Sequence, residues 1–349
     1  MTTEEQVEQE IKSIFDLKIK NIPGIGPATV KKLKDVGIIT IPDLAVCSAT
    51  ELSERADIPN KDTAAKYIMA AQDLIKKTNL EDTSEFISST KEKNRKNVYM
   101  LKTGSTVLDD LFKGGIESQA ITEFYGEFGS SKSQICHTLC INTIKPVSDG
   151  GFDAGVLYID TEGTFRRERL EEIAQSLGYS EEQADQMIEN HVKYTVVINS
   201  QELEKKIKVI GNYIKENNVK LVIVDSIIAL HRAEYLGRGT LAERQQRIAE
   251  ILFKLKRIAQ VYNIAVVITN QVIHDPGQLF GDPTKAVGGN VLGHTSTYRI
   301  YLKKSGKNRI ARMIDSPYHP NLDAMFIVTE KGVTDIEVDE KKKEKDDKK

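Results

Sequence analysis

The chain has 349 residues, above the commonest single-domain size, so two domains are expected and a substantial core can be buried. Its 49 Lys and Arg nearly balance 51 Asp and Glu, a net charge of −2 that neither favours nor excludes a polyanionic partner. Three cysteines, Cys47, Cys136 and Cys140, are too few for a disulfide framework and point to a reducing compartment, and no apolar run approaches a membrane span.

The acidic start Met1-Thr2-Thr3-Glu4-Glu5 does not read as a signal peptide, so a soluble intracellular protein is expected. Val7, Ile11, Ile14 and Phe15 share a helical face, and similar spacing recurs at Val30 and Leu33 and from Tyr67 to Ile75. Residues 1–80 therefore read as an all-helical domain. Within it Asn21-Ile-Pro-Gly24-Ile-Gly26-Pro27 joins two helices. Its glycines expose backbone N–H groups at a helix start, a device for holding a phosphate without reading sequence, and they also suit an ordinary interhelical turn. Residues 81–97 form a polar linker with one aromatic, Phe86. From 98 to 338, apolar runs at Val156–Ile159, Tyr194–Ile198, Leu221–Val224 and Ile264–Ile268 alternate with helical segments that include 167–177, 201–216 and 241–262. That alternation predicts an α/β unit, a mostly parallel sheet flanked by helices. Residues 339–349 read as a charged, disordered tail.

Gly126, Glu127, Phe128, Gly129, Ser130, Ser131, Lys132 and Ser133 lie between the apolar segment Ala120–Tyr125 and the helical stretch Gln134–Ile144. Glycines let successive N–H groups turn inward around phosphates, Lys132 can reach the β and γ oxygens, and Ser133 supplies a hydroxyl for Mg²⁺. ATP with Mg²⁺ is thus the expected cofactor. Ser131 stands where the usual pattern has glycine; a left-handed backbone there costs about 1–2 kcal/mol, which many phosphate contacts can oppose. Leu221–Val224 ends in Asp225, placed to hold Mg²⁺ directly or through water. Tyr158-Ile-Asp160-Thr-Glu162-Gly163 ends another strand in two carboxylates, and Glu162 is the candidate base for an attacking water. Asn270-Gln271 follows a third strand at the same edge, where an uncharged amide can sense the γ-phosphate. Cys136 and Cys140 lie on the helix after the loop and read as packing, because no Cys or His pair elsewhere completes a metal site.

These segments together, with Gly104-Ser105 and Leu108-Asp109 upstream and Tyr235–Gln245, Val287–His294 and Ile314–Pro317 downstream, closely resemble the RecA-type DNA recombinases of archaea and eukaryotes over nearly the whole chain. The resemblance implies a RecA-like ATPase core behind a helix-hairpin-helix domain that contacts DNA through Gly24 and Gly26. It implies that Glu162 activates water, that Gln134 belongs to the ATP-binding segment, and that Arg169 packs on adenine. Gln271 and His294 would relay the γ-phosphate state. On the residues alone His294 reads as a structural histidine. The stretch from Arg232 to Arg247, with Tyr235, Arg238 and Arg244, reads by charge as a solvated basic face. The resemblance makes it the first DNA loop. It makes the segment around Ile273 and Phe280 the second, with Asp282-Pro283 capping ATP on a neighbouring subunit. Phe86-Ile-Ser-Ser89 resembles the family's polymerisation tether, with Ser89 where alanine is usual. Arg167 replaces a usual proline, and Ser133 the commoner threonine.

The implied activity is ATP-dependent filament formation on single-stranded DNA, pairing with homologous duplex and strand exchange, in a cytoplasmic, nucleoid-associated setting. The partners implied are single- and double-stranded DNA, further copies of the chain in filaments or rings, and recombination accessory proteins. The rival expectations are a paralogue that binds ATP and DNA but only assists another recombinase, and a ring-forming motor ATPase on the same core.

Overall fold

The computed structural model describes residues 18–79, 98–237, 239–274 and 284–336. The expectations for Phe86, Ser89, Arg238, Phe280, Asp282 and Pro283, for the helical face at Val7–Phe15, and for the charged tail fall outside these residues.

The first described segment is helical: α1 (Pro27–Asp35), α2 (Ile41–Ala45), α3 (Ala49–Arg55) and α4 (Lys61–Asn79). Short helices need their free amides satisfied. For α2 this comes from a capping box, in which the Asp43 amide donates to Thr40 Oγ1 at 3.3 Å and the Thr40 amide to Asp43 Oδ2 at 2.9 Å. Pro27 opens α1, where a missing N–H leaves no bond unmade. Leu33, Ile41, Leu44, Leu52, Ala64 and Ala71 close a core of their own, with Val261 of a later helix packed against it.

Beyond it come β1 (Met100–Leu101), α5 (Thr106–Leu111), β2 (Ile116–Glu117), β3 (Ile121–Gly126), α6 (Lys132–Ile144), β4 (Gly155–Asp160), α7 (Arg167–Ser176) and α8 (Glu181–His191). These are followed by β5 (Val192–Val196), α9 (Ser200–Glu216), β6 (Val219–Asp225), α10 (Ala229–Glu234), α11 (Leu241–Tyr262), β7 (Ala265–Asn270), β8 (Val272–His274) and β9 (Thr284–Ala286). The chain then gives α12 (Gly289–Thr295), β10 (Tyr298–Ser305), β11 (Asn308–Asp315), β12 (Asp323–Thr329) and β13 (Gly332–Thr334). A nine-stranded sheet runs β13-β12-β11-β10-β3-β7-β6-β4-β5. From β10 to β5 neighbouring strands are parallel, as the alternating pattern predicts.

Strand alternation divides the core into two layers. Val156, Tyr158, Leu221 and Ile223 pack with α6, α7 and α8 on one face, and Leu157, Ile159, Val222 and Val224 pack with α9 and α11 on the other. The antiparallel meander β10–β13 is not legible in the sequence. Strands β11 and β12 alternate buried and exposed positions, so no continuous apolar run marks them. Strand β5 sits two residues earlier than expected, because it is the sheet edge with one wet face; Ile198 is exposed beyond it and Asn199 caps α9.

The helical domain is fastened to α11. Tyr262 Oη donates to Asp43 Oδ1 at 2.7 Å, Arg257 Nη1 to the Cys47 carbonyl at 2.7 Å, and Lys254 Nζ lies 3.6 Å from Glu51. Gly211 of α9 permits this approach: a Cβ there would stand 2.3 Å from Tyr262 Oη and 2.5 Å from Asp43 Oδ1.

Candidate nucleotide-binding site

Parallel register brings the carboxyl ends of the central strands level. Asp160 pairs with Asp225, Tyr125 with Asn270, and Gly126 with Leu302. The polar residues that end these strands therefore converge on one sheet edge, where open α/β sheets bind ligands.

The loop from Gly126 to Ser133 crosses that edge. Gly126 must lack a side chain, since a Cβ would meet the Leu302 carbonyl at 2.3 Å and Ser130 Oγ at 2.8 Å. Gly129 is left-handed at φ +76°, and so is Ser131 at φ +80°, ψ +23°, as the N-cap of α6. Serine thus occupies the conformation its position demands, and its hydroxyl accepts from Arg309 Nε at 2.7 Å. Among the described residues the amides of Gly129, Ser131, Lys132 and Ser133 find no backbone acceptor, and the buried Ser130 Oγ has no partner. A ring of unpaired donors at a helix N-terminus fits a phosphate chain. Lys132 Nζ donates to the carbonyls of Gly126 at 2.9 Å and Glu127 at 3.0 Å, across the mouth of the loop. Burial lowers its pKa, against the opposing pull of Asp225 and Glu162. Phe128 is fully exposed at the loop tip.

Asp225 is the buried hub. Its Oδ2 accepts from Ser133 Oγ at 2.7 Å, Tyr158 Oη at 2.7 Å and Thr164 Oγ1 at 3.3 Å, and its Oδ1 accepts from Thr269 Oγ1. Burial and Asp225 push the Tyr158 hydroxyl well above the ordinary tyrosine range, so it stays a donor. Among the described residues no group of three or more His, Cys, Asp or Glu gathers to hold a metal. A hydroxyl and a carboxylate beside a phosphate cradle are the donors Mg²⁺ uses when phosphates and waters complete its shell. Ser133 and Asp225 fit that ion.

The two acids after β4 separate by geometry. Asp160 accepts the amides of Glu162 at 3.0 Å, Gly163 at 2.8 Å and Phe165 at 3.0 Å, which makes it the structural brace of the turn. Glu162 Oε1 instead accepts from Ser226 Oγ at 2.6 Å and Gln271 Nε2 at 2.9 Å. Gln271 Oε1 in turn accepts from Arg232 Nη1 at 3.1 Å, so a continuous chain leads from the candidate base to the start of the arginine-rich loop. Asn270, its neighbour, is buried and donates to Glu123 and to the Val287 carbonyl, both at 2.8 Å, a bracing role.

Arg169 Nε donates to Gln134 Oε1 at 2.9 Å and its Nη2 to the Thr329 carbonyl at 2.5 Å, which places the guanidinium between α6 and the β12–β13 turn. His294 is exposed near the end of α12 and has no polar partner among the described residues, against the structural-histidine reading. A different histidine is the structural one. His137 of α6 is buried, stacks on Tyr158 with centroids 5.9 Å apart, and accepts the Arg166 amide at 3.3 Å. Desolvation lowers its pKa from 6.5 to about 4. The fold refuses a proton that the unfolded chain accepts, so stability is lost as pH falls from about 6.5 towards 4. We expect wild type to lose about 2–3 kcal/mol more than His137→Gln between pH 7 and pH 4.5, read from urea melts.

Of the candidate DNA residues, Arg232 and Ile273 are exposed. Tyr235 is held by its own neighbours, with Arg247 Cζ 5.7 Å from its ring centroid and His231 stacked 6.2 Å away. Arg244 lies in the first turn of α11, its Nε buried and without a partner among the described residues. In the helical domain Gly24 is left-handed at φ +84° and its carbonyl accepts from Tyr67 Oη at 2.9 Å, while Gly26 caps α1 with open space around its Cα. The sequence reading gave no role to Tyr158, Thr164 and Ser226, which lie inside the segments it singled out, and passed over Thr269 and Arg309, which no motif marks.

A protein-family model described as Rad51 matches residues 94–336, and one described as a SAM-like helix-hairpin-helix tandem matches residues 16–73. The DNA repair and recombination protein RadA of Cenarchaeum symbiosum is 44% identical over 97% of this chain and 84% of its own length. Its namesake in Aeropyrum pernix is 42% identical over 95% of this chain and 99% of its own length, and that of Ignicoccus hospitalis is 43% identical over 91% and 96%. The chain belongs to the Rad51 family and, within it, to the RadA recombinases.

Proposed function

We propose that the protein is an ATP-dependent DNA recombinase that assembles on single-stranded DNA, pairs it with homologous duplex and exchanges strands. The observation that carries the reading is the chain of contacts from Glu162 through Gln271 to Arg232, because it joins a hydrolytic site to a basic loop. The helix-hairpin-helix match and the near full-length likeness to RadA proteins weigh against an assisting paralogue.

Bound ATP with Mg²⁺ supplies a polyanion that tightens the site and a γ-phosphate whose loss loosens it. The loop amides and Lys132 would hold the phosphates, Ser133 and Asp225 would hold the metal, and Arg169 with Gln134 would border the base. Glu162 accepts a proton from an attacking water. Gln271 links Glu162 to Arg232, so a rearrangement of its side chain at this edge would shift Arg232 and the loop it begins. Arg232, Tyr235, Arg238 and Arg244, with Ile273 and Phe280, grip the DNA backbone without reading sequence, and base pairing supplies recognition. His294 joins the relay, Asp282 and Pro283 cap a neighbour's ATP, and Phe86 with Ser89 tethers the next subunit. A head-to-tail tether builds a helical filament when its rotation does not close and a ring when it does. Gly24 and Gly26 add a further DNA backbone contact.

The test is ATP turnover with and without single-stranded DNA, beside electron microscopy of the same mixtures. DNA should raise turnover, ATP should tighten DNA binding by about 5–150-fold, and filaments should appear. Equal turnover with rings alone would favour the motor reading.

A further inference from the structure

Ser131 departs from the glycine expected before Lys132, and the structure gives its side chain a partner from a distant strand. Arg309 of β11 reaches over the loop, and its Nε donates to Ser131 Oγ at 2.7 Å. The guanidinium is fixed from behind, since Nη1 donates to the carbonyls of Lys307 at 3.1 Å and Asn308 at 2.9 Å. Two features show that this arginine is not in place for the sake of the sheet. Among the described residues no carboxylate pairs with it, and its cross-strand partner on β10 is Lys304, another cation. Like charges directly opposite weaken a strand pair. The arrangement makes sense where an anion is received nearby and where the loop itself needs a hold.

We infer that Arg309 is a positioning residue for the phosphate loop: it holds Ser131 in the left-handed conformation that turns the amides around Lys132 towards the phosphates. A non-glycine residue there is strained, and the hydrogen bond to a charged donor offsets that strain. The pairing converts a residue poorly suited to the turn into one fastened in it. The inference rests on the ATP-binding reading above.

Equilibrium binding of a fluorescent ATP analogue to wild type, Arg309→Met, Ser131→Ala and the double variant tests it. Each single change should weaken binding about tenfold, and the double should be no weaker than the worse single, because both remove one bond. In a Ser131→Gly background, where strain is absent, Arg309→Met should change binding less than about threefold. Turnover of Arg309→Met at saturating ATP should stay within about twofold, so the effect of that change appears in KM and not in kcat. Arg309→Lys keeps the charge without the Nε donor and should behave like Arg309→Met. Arg309→Met removes a cation facing Lys304, so the strand pair is not weakened by it. Losses that multiply in the double variant, or rescue by lysine, overturn the inference. A wild-type protein that binds no ATP overturns the nucleotide reading along with it.

Discussion

Lys132→Ala should abolish both ATP hydrolysis and triphosphate-dependent DNA binding. The side chain is the cation at the mouth of the loop, its Nζ bridging the Gly126 and Glu127 carbonyls. Removing a charged partner from a desolvated pair costs about 3–5 kcal/mol, which is roughly a hundredfold or more in affinity. Loss on both readouts is expected because nucleotide and DNA are linked through the site, so a protein that cannot hold triphosphate cannot reach its DNA-binding form. Lys132→Arg should not restore function, since a planar fork does not replace a compact ammonium inside a closed loop. Filaments of undiminished DNA affinity from Lys132→Ala would contradict the account. Titration of labelled single-stranded DNA, with and without ATP, reads the outcome.

Glu162→Gln should separate the two activities. The amide keeps the oxygen that accepts from Ser226 Oγ and Gln271 Nε2, so the local structure and nucleotide binding persist. What it loses is the capacity to take a proton from water, worth about 10²–10⁴-fold in rate. The variant should therefore bind DNA with ATP as tightly as wild type and release it far more slowly. Hydrolysis within about threefold of wild type would remove Glu162 from the role of base and turn attention to the other acids of the edge.

The buried core strands and the ends that carry chemistry were legible for a physical reason. Leu221–Val224 is buried on both faces, so it reads as a continuous apolar run, and the acid that ends it can only lie at the sheet edge. The phosphate loop was legible because glycine and lysine at fixed spacing answer to a specific backbone need. Which of Asp160 and Glu162 faces the site is a matter of three amide bonds closing on Asp160, and no pattern of residue types records that. Arg309 and Thr269 reach the site through strand order, which sets β11 one strand beyond β10 from β3 and places β7 beside β6. Arg232 and Gln271 are 39 positions apart, and their contact likewise depends on two elements meeting at one edge. The β10–β13 meander was missed because β11 and β12 bury only scattered positions, the end of β10 faces water and β13 is three residues long. The composition of the arginine-rich loop gave its charge but not that Arg247 is already paired with Glu204 and lies over Tyr235, leaving Arg232 the freer cation.

The most direct test is formation of joint molecules between a homologous single strand and a duplex, with ATP and Mg²⁺, beside reactions lacking ATP or homology. ATP-dependent joints that require homology are the predicted result. Retained DNA binding with no joints under any condition would contradict the recombinase reading and leave a protein that assists another.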